Sequence, residues 1–322
     1  MSTLVASNLQ ASGGAGTAAL LASVNGGAIA GTRNRVLNGG MAIDQRNAGA
    51  SQTFTAAAAL AYSVDRWYGY CTGANVTGQQ IAGATAGQYR YRFTGAASVT
   101  AIGFGQRIEQ LNSADLAGTT ATLSVDLANS VLTSVTWTAY YATTANTFGT
   151  LASPTRTQIA TGTFTVNSTV TRYSTNISIP AAATTGIEIV FTVGAQTSGT
   201  WTIGNVQLEA GSVATPFERR SYGQELALCQ RYFYKLPQSI GVTGLTSPGG
   251  PVDFRNRYSY PVSMRANPTL VLTTWINGSN MPTGSTIDAN YDGFSYIGTC
   301  STVNLAGANG YFLAGITASA EL

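Results

Sequence analysis

The sequence predicts an all-β protein: a jelly-roll-like β-sandwich, then a short helix and a smaller C-terminal β domain, preceded by an extended N-terminal arm. Three observations carry that prediction. Alternating or β-branched runs recur between Gly, Asn and Ser-Ala turns from Arg33 to about Glu218, the period-2 pattern of half-buried strands. No helix–strand alternation of the kind a parallel α/β sheet needs occurs. Charged residues are only 9% of the 322, against about 25% in an ordinary domain, and Thr, Ser, Ala, Asn, Gln and 37 Gly take their place. With 44% hydrophobic residues and a net charge of +3, the chain escapes the low-hydrophobicity, high-charge signature of disorder. Its length suffices for two cores.

The first element, residues 1–33, is an arm without charge before Arg33. Its apolar points include Leu4, Leu9, Leu20 and Leu21. One reading is a loose terminus; the favoured one is an assembly arm that docks on a neighbouring subunit. The second, residues 34–218, is the sandwich. Its predicted strands include Gln88–Phe93, Ala121–Leu127, Ser134–Tyr141, Gln158–Val166, Thr171–Ile179, Ile187–Val193 and Thr200–Leu208. In the first, Tyr89, Tyr91 and Phe93 share one face and Arg90 and Arg92 the other. The third, residues 219–235, is a helical connector. Ser221 and Gln224 form a capping box, Tyr222, Leu226, Cys229 and Phe233 make an apolar stripe, and Pro237 ends it. The stripe is expected to act as a hinge or a subunit contact. The fourth, residues 236–322, has strands near Val252–Tyr260, Thr269–Ile276, Gly293–Thr299 and Gly310–Ala318 between Pro and Gly turns.

Composition narrows function as well. With no histidine, the commonest general base, the Ser-His-Asp and Cys-His arrangements and all His-containing metal sites are excluded. Cys71, Cys229 and Cys300 are far apart and odd in number, so buried thiols are expected, made in a reducing compartment. No secretion signal or membrane-spanning run is visible. Lys235 is the only lysine; the arginines are scattered and form no basic stripe, which argues against nucleic acid. A large neutral surface offers little repulsion between copies and favours assembly.

Three passages stand out: Asn34-Arg-Val-Leu-Asn-Gly-Gly-Met-Ala-Ile-Asp-Gln-Arg-Asn-Ala-Gly49 leading to Tyr62-Ser-Val-Asp-Arg-Trp67, then Val206-Gln-Leu-Glu-Ala-Gly-Ser-Val-Ala-Thr-Pro-Phe217, then Glu218-Arg-Arg-Ser-Tyr-Gly-Gln-Glu-Leu-Ala-Leu-Cys-Gln-Arg-Tyr-Phe-Tyr234. In order and spacing they resemble the tail-fibre and appendage proteins of tailed bacteriophages, over roughly Arg33 to Leu322. The resemblance implies a jelly roll similar to carbohydrate-binding modules, a homotrimer and a place on the virion. It fixes neither receptor nor position, and the passages themselves read as fold-determining turns, a closing strand and a plug at Pro216-Phe217.

The sequence offers one candidate glycan site, Trp275, Asn277, Asn280, Asp288, Asn290, Tyr291 and Asp292, because sugars are held by an aromatic face and planar polar partners. The plainer reading places Trp275 in a core and the others in turns. A weaker candidate is Trp67 with Tyr68 and Tyr70; here Asp65-Arg66-Trp67 reads as a buried salt bridge beneath a core tryptophan. Asp288–Gly293 imitates the start of an EF-hand loop, but Thr299 stands where a bidentate Glu is required, so it is read as a turn. The expected function is that of a virion structural protein, a homotrimeric tail fibre or tip attaching to a host-surface glycan. The arm would meet other virion proteins, and assembly would involve Leu4, Leu9, Leu20, Leu21, Tyr222, Leu226 and Phe233. A capsid decoration protein or head fibre, or a stand-alone glycan-binding module, is the alternative. No enzyme activity, catalytic residue, cofactor, metal, nucleic acid or membrane insertion is expected, and the chain would be made in host cytoplasm.

Overall fold

The structure, a computed structural model, describes residues 33–57, 59–236, 252–276, 285–300 and 312–322, and the short pairs 23–24, 27–28 and 240–241. For those short pairs and for 252–256, 272–276, 285–287, 296–300 and 312–315 the description is of backbone alone. The arm residues Leu4, Leu9, Leu20 and Leu21 lie outside the described residues. A small hairpin of β1 (Ser23–Val24) and β2 (Gly27–Ala28) touches the sandwich at residues 200–210.

The sandwich begins with β3 (Gln52–Phe54), β4 (Ala61–Tyr62), β5 (Tyr68–Thr72), β6 (Val76–Ala82), β7 (Tyr89–Thr94) and β8 (Ala101–Ile108). It continues with β9 (Thr120–Asn129), β10 (Ser134–Ala142), β11 (Arg156–Thr165), β12 (Thr171–Ser178), β13 (Ile187–Val193) and β14 (Thr200–Ala210). These form two six-stranded sheets, ordered β11-β10-β13-β8-β5-β4 and β12-β9-β14-β7-β6-β3. All pairings in them are antiparallel, and hairpins join only β4–β5, β6–β7 and β10–β11. Every other connection crosses between the sheets, which is the jelly-roll arrangement.

Alternation decides which residues enter the core. On β7 Tyr91 and Phe93 are buried while Arg92 is exposed, as the period-2 reading requires. Trp67, Phe104, Tyr91, Phe93 and Trp201 pack in series, stacked or edge to face, with ring centroids 4.9–5.3 Å apart. The observed strands match the expected ones to within about two residues at each end, the usual uncertainty of a boundary. Strands β3, β4, β5, β6 and β8 are not among them; in β8 the glycines weaken the β signal. They are required: a Cβ at Gly103 would stand 2.1 Å from the Tyr70 ring and one at Gly105 2.5 Å from the Tyr68 hydroxyl. The two tyrosines cross the neighbouring strand where side chains are missing.

Inside the sandwich edge runs an irregular buried segment, 33–43. Its main-chain groups need partners. Asn34 bridges to β14, donating to the Val206 carbonyl at 3.0 Å and accepting from Leu208 N–H at 3.1 Å. Gln106 donates to the Leu37 carbonyl and accepts its N–H, at 2.7 and 2.8 Å. The Asn38 side chain donates to the carbonyls of Ile43 and Asp65 and accepts the Ile43 N–H, at 2.8–3.0 Å.

The helix α1 (Tyr222–Gln230) starts as expected, with Ser221 Oγ accepting the Gln224 N–H at 3.4 Å. It ends earlier than the stripe predicted. Tyr232 N–H turns back to the Cys229 carbonyl, and the aromatic run that follows becomes β15 (Phe233–Lys235), drawn into pairing with the C-terminal strand. Further on lie β16 (Ile240–Gly241), β17 (Val252–Ser259), β18 (Thr269–Ile276), β19 (Ser285–Asn290), β20 (Gly293–Cys300) and β21 (Phe312–Ser319). Strand β21 pairs with β15, β16 and β18; β20 pairs with β17 and β19. A small second core of Tyr260, Met264, Phe294, Ile316, Ala318 and Ala320 lies here.

The two regions interlock through 320–322. Ala320 N–H bonds the Tyr232 carbonyl at 2.8 Å. Glu321 pairs with the buried Arg66 and, at 2.9 Å, with Arg46. The main-chain oxygen of Leu322 accepts from Tyr62 and Arg107, both at 2.8 Å. Arg66 also lies 3.6 Å from the Tyr232 ring centroid. This corrects the expected Asp65–Arg66 pairing: Trp67 is indeed fully buried, but the guanidinium points to Glu321, and Asp65 accepts from Gln45 instead. Phe233, expected at a subunit contact, is buried within the chain, 3.5 Å under the Arg46 guanidinium. Tyr222 is exposed and Leu226 half-buried.

Two consequences can be measured. Asn38→Ala leaves buried carbonyl and N–H groups without partners, so it should lower unfolding free energy by about 2–5 kcal/mol; urea denaturation reads this directly. Burial raises the Asp65 carboxyl from 3.8 to about 6, against the lowering by Gln45 and Arg46. The native state then holds more protons than the unfolded one between these values, so stability falls as pH rises from about 4 to 6, by about 3 kcal/mol. Asp65→Asn should flatten that slope in denaturation curves at pH 4, 5, 6 and 7; an unchanged slope would mean another group titrates.

Candidate functional site

Several elements meet at one end of the sheet that contains β7, β9, β12 and β14. The β6–β7 turn brings Gly87 and Tyr89. The segment after Asn38 brings Gly40 and Ala42, and the chain after β14 brings Phe217, Arg219 and the exposed Tyr222. Together with Glu218, Arg220 and Glu225 these line an open cleft of about 260 Å³. Tyr222 is 65% exposed, and the Tyr89 and Phe217 rings are half-buried.

Both carboxylates in the cleft are engaged by the fold. Glu218 accepts the N–H groups of Arg33 and Asn34 at 3.1 and 2.9 Å. Glu225 accepts the Asn38 N–H at 2.5 Å and pairs with Arg220 at 3.2 Å. Arg220 in turn donates to the carbonyls of Asn34 and Val36, and its Nε is buried without a partner. The groups left for a ligand are aromatic faces and Arg219.

Beside the cleft the outer face of the sheet carries a polar row. A register shift in β14 between Gly204 and Gln207 is a β-bulge, which re-aims side chains. It turns Asn205 outward, at φ 46°, to donate to Asp126 at 2.7 Å. Asp126 also binds Arg90 at 3.4 Å and Arg172 at 3.2 Å. Arg90 reaches it across Gly204, where a Cβ would stand 2.8 Å from Arg90 Cγ. Burial holds the Arg172 guanidinium below its ordinary value, with Asp126 opposing. The Phe217 ring links cleft and row, 5.8 Å from Arg219 Cζ and 5.9 Å from Arg172 Cζ.

Of the residues expected to hold a glycan, four are described with their side chains, and these share one hairpin. Asn277 and Asn280 lie outside the described residues, and Trp275 is described by backbone only. Asp288, Asn290, Tyr291 and Asp292 share the β19–β20 hairpin. There Asn290 Oδ1 accepts from the N–H groups of Asp292 and Gly293, Asp292 accepts from Ser263, and Tyr291 N–H bonds Asn267. The polar groups thus close the turn, and Tyr291 stays exposed. Trp275 sits on β18, six residues beyond Thr269, about 20 Å further along the strand. Of the weaker candidate, Trp67 and Tyr68 are buried and Tyr70 is half-buried.

The cleft was legible only in fragments. Pro216-Phe217 reads as a plug, but no spacing joins it to Tyr89, Arg219 or Arg172. The arrangement can stack on an apolar ring face and bond to polar substituents; it presents no unoccupied carboxylate pair for hydrolysis.

No protein-family model matches the sequence, and no curated protein matches it. Solved structures similar to the chain include the enzymatically active domain of bacteriophage CBA120 tailspike protein 4, at 18% identity over 55% of this chain and a TM-score of 0.33. This chain spans about a fifth, 21%, of that one. Others are carbohydrate-binding modules: TmCBM61, crystallised with β-1,4-galactotriose, at 11% identity, covering 56% of this chain and 99% of that one, TM-score 0.35. A family 22 module of Clostridium thermocellum Xyn10B has 17% identity, covering 48% of this chain and 91% of that one, TM-score 0.31. What these proteins bind or act on is a property of theirs.

Proposed function

We propose that this chain is a glycan-binding attachment component of a tailed-bacteriophage virion, a tail fibre or tip that assembles as a homotrimer. One observation carries the reading. The cleft is walled by the passages that resemble phage appendage proteins: Asn38, Gly40 and Ala42 from the first, Phe217 from the second, Arg219 and Tyr222 from the third. Residues that hold the fold together there also present two rings and a cation outward. Pyranose rings stack on such faces, and fixed polar groups select among them. The sparse surface charge supports packing of identical copies, and the charge-free arm suits docking to other virion proteins.

In this reading the full-length protein retains glycans on an array prepared from host surface polysaccharides. Phe217→Ala and Tyr222→Ala, which remove stacking faces without touching the core, should each weaken retention by about tenfold or more. Equal retention by wild type and both variants would place recognition elsewhere. Deleting residues 1–32 should leave glycan retention intact while abolishing incorporation into particles, scored by immunogold electron microscopy; truncated protein that still decorates particles removes the arm from assembly. Light scattering of the full chain should give the mass of three copies.

A further inference from the structure

The outer face beside the cleft has more positive charge than its partners neutralise. Arg90 and Arg172 converge on the single carboxylate of Asp126. Arg219 has no acidic partner among the described residues, and neither has Arg92, exposed two residues beyond Arg90 on β7. Glu218 and Glu225 in the cleft keep their charge, but Arg220 pairs with both, at 3.7 and 3.2 Å, so one negative charge is left against Arg219, Arg92 and the arginine in excess at Asp126. The Nε atoms of Arg90 and Arg220 are buried without partners, which leaves unsatisfied donors on both arginines. The guanidiniums of Arg219 and Arg172 both lie near the Phe217 ring, 5.8 and 5.9 Å from its centroid.

We propose that this face selects an acidic glycan, one bearing carboxylate, sulfate or phosphate substituents, by placing sugar rings on Phe217 and Tyr222 and their anionic groups against Arg219 and Arg172. The inference rests on the glycan-binding reading and adds the charge class of the ligand. Guanidinium suits it, since its planar fork matches a carboxylate or phosphate with paired donors. A nucleic acid would also meet arginine and aromatic groups, but it requires a run of cations for successive phosphates. Here two of the arginines already share Asp126.

The test uses the full chain on an array of uronate-, sialate-, sulfate- and phosphate-bearing polysaccharides, each beside a neutral counterpart, with a single-stranded oligonucleotide as competitor. Acidic polymers should bind at least tenfold more tightly than their neutral pairs, and raising salt from about 50 to 500 mM should remove most of that preference. Arg219→Gln, on an exposed side chain, should lose the preference without changing the melting temperature. Arg172→Gln should also lose the preference, with a lower melting temperature because Arg172 holds Asp126 and Ser124, and Arg172→Lys should restore part of the preference. Equal binding of acidic and neutral members overturns the charge selection and leaves the glycan reading standing. Displacement by the oligonucleotide at equal affinity overturns it in favour of nucleic acid, and no binding to any polymer overturns both readings.

Discussion

A buried chain without regular structure must find partners for every main-chain donor and acceptor, and in this protein that requirement falls on residues 33–43. Asn34, Asn38 and Gln106 supply the missing bonds from within the sandwich, and Glu218, Arg220 and Glu225 supply them from the chain that leaves it. The segment therefore ties the start of the sandwich to its last strand and to the first turn of α1 at once. The position of the helix, and with it the cleft wall, follows from satisfying these groups. Polar networks of this kind are costly when incomplete and specific when complete.

The return of 320–322 sets a second constraint. Arg66 and Arg46 each join one oxygen of the Glu321 carboxylate to an aromatic face, Tyr232 and Phe233 respectively, a combination that the planar guanidinium suits better than a compact ammonium. Glu188, fully buried, likewise holds Arg107 and Arg156. The near-exclusive use of arginine thus has an interior cause. Several of the few charged residues are inside the molecule, so the surface is still more neutral than composition suggests, which bears on assembly more than on solubility.

The same economy shapes the cleft. Its carboxylates and Arg220 are occupied in holding the fold, so what faces outward is aromatic and cationic. The bulge in β14 and the side-chain-free crossing at Gly204 bring Asn205 and Arg90 to one carboxylate. What the cleft presents outward and what holds the fold together are here neighbouring residues of the same short segments.

Strand identity was legible in the sequence because side-chain alternation is a local property: Tyr91 and Phe93 face inward and Arg92 outward whatever the partner strand. The all-β class, the capped start of α1 and the buried state of Trp67 follow from such local rules. Other features depend on residues far apart in the chain. Strand β8 is hidden because the bulk that fills it comes from Tyr68 and Tyr70 on a neighbour. The helix gives way to β15 because β21, some eighty residues later, offers a ladder. Arg66 passes over its sequence neighbour for Glu321, and the cleft joins Tyr89, Phe217 and Tyr222 from separate elements. Local periodicity determined the elements; only the folded chain decided their partners, because buried polar and charged groups pair with whatever the fold brings within reach.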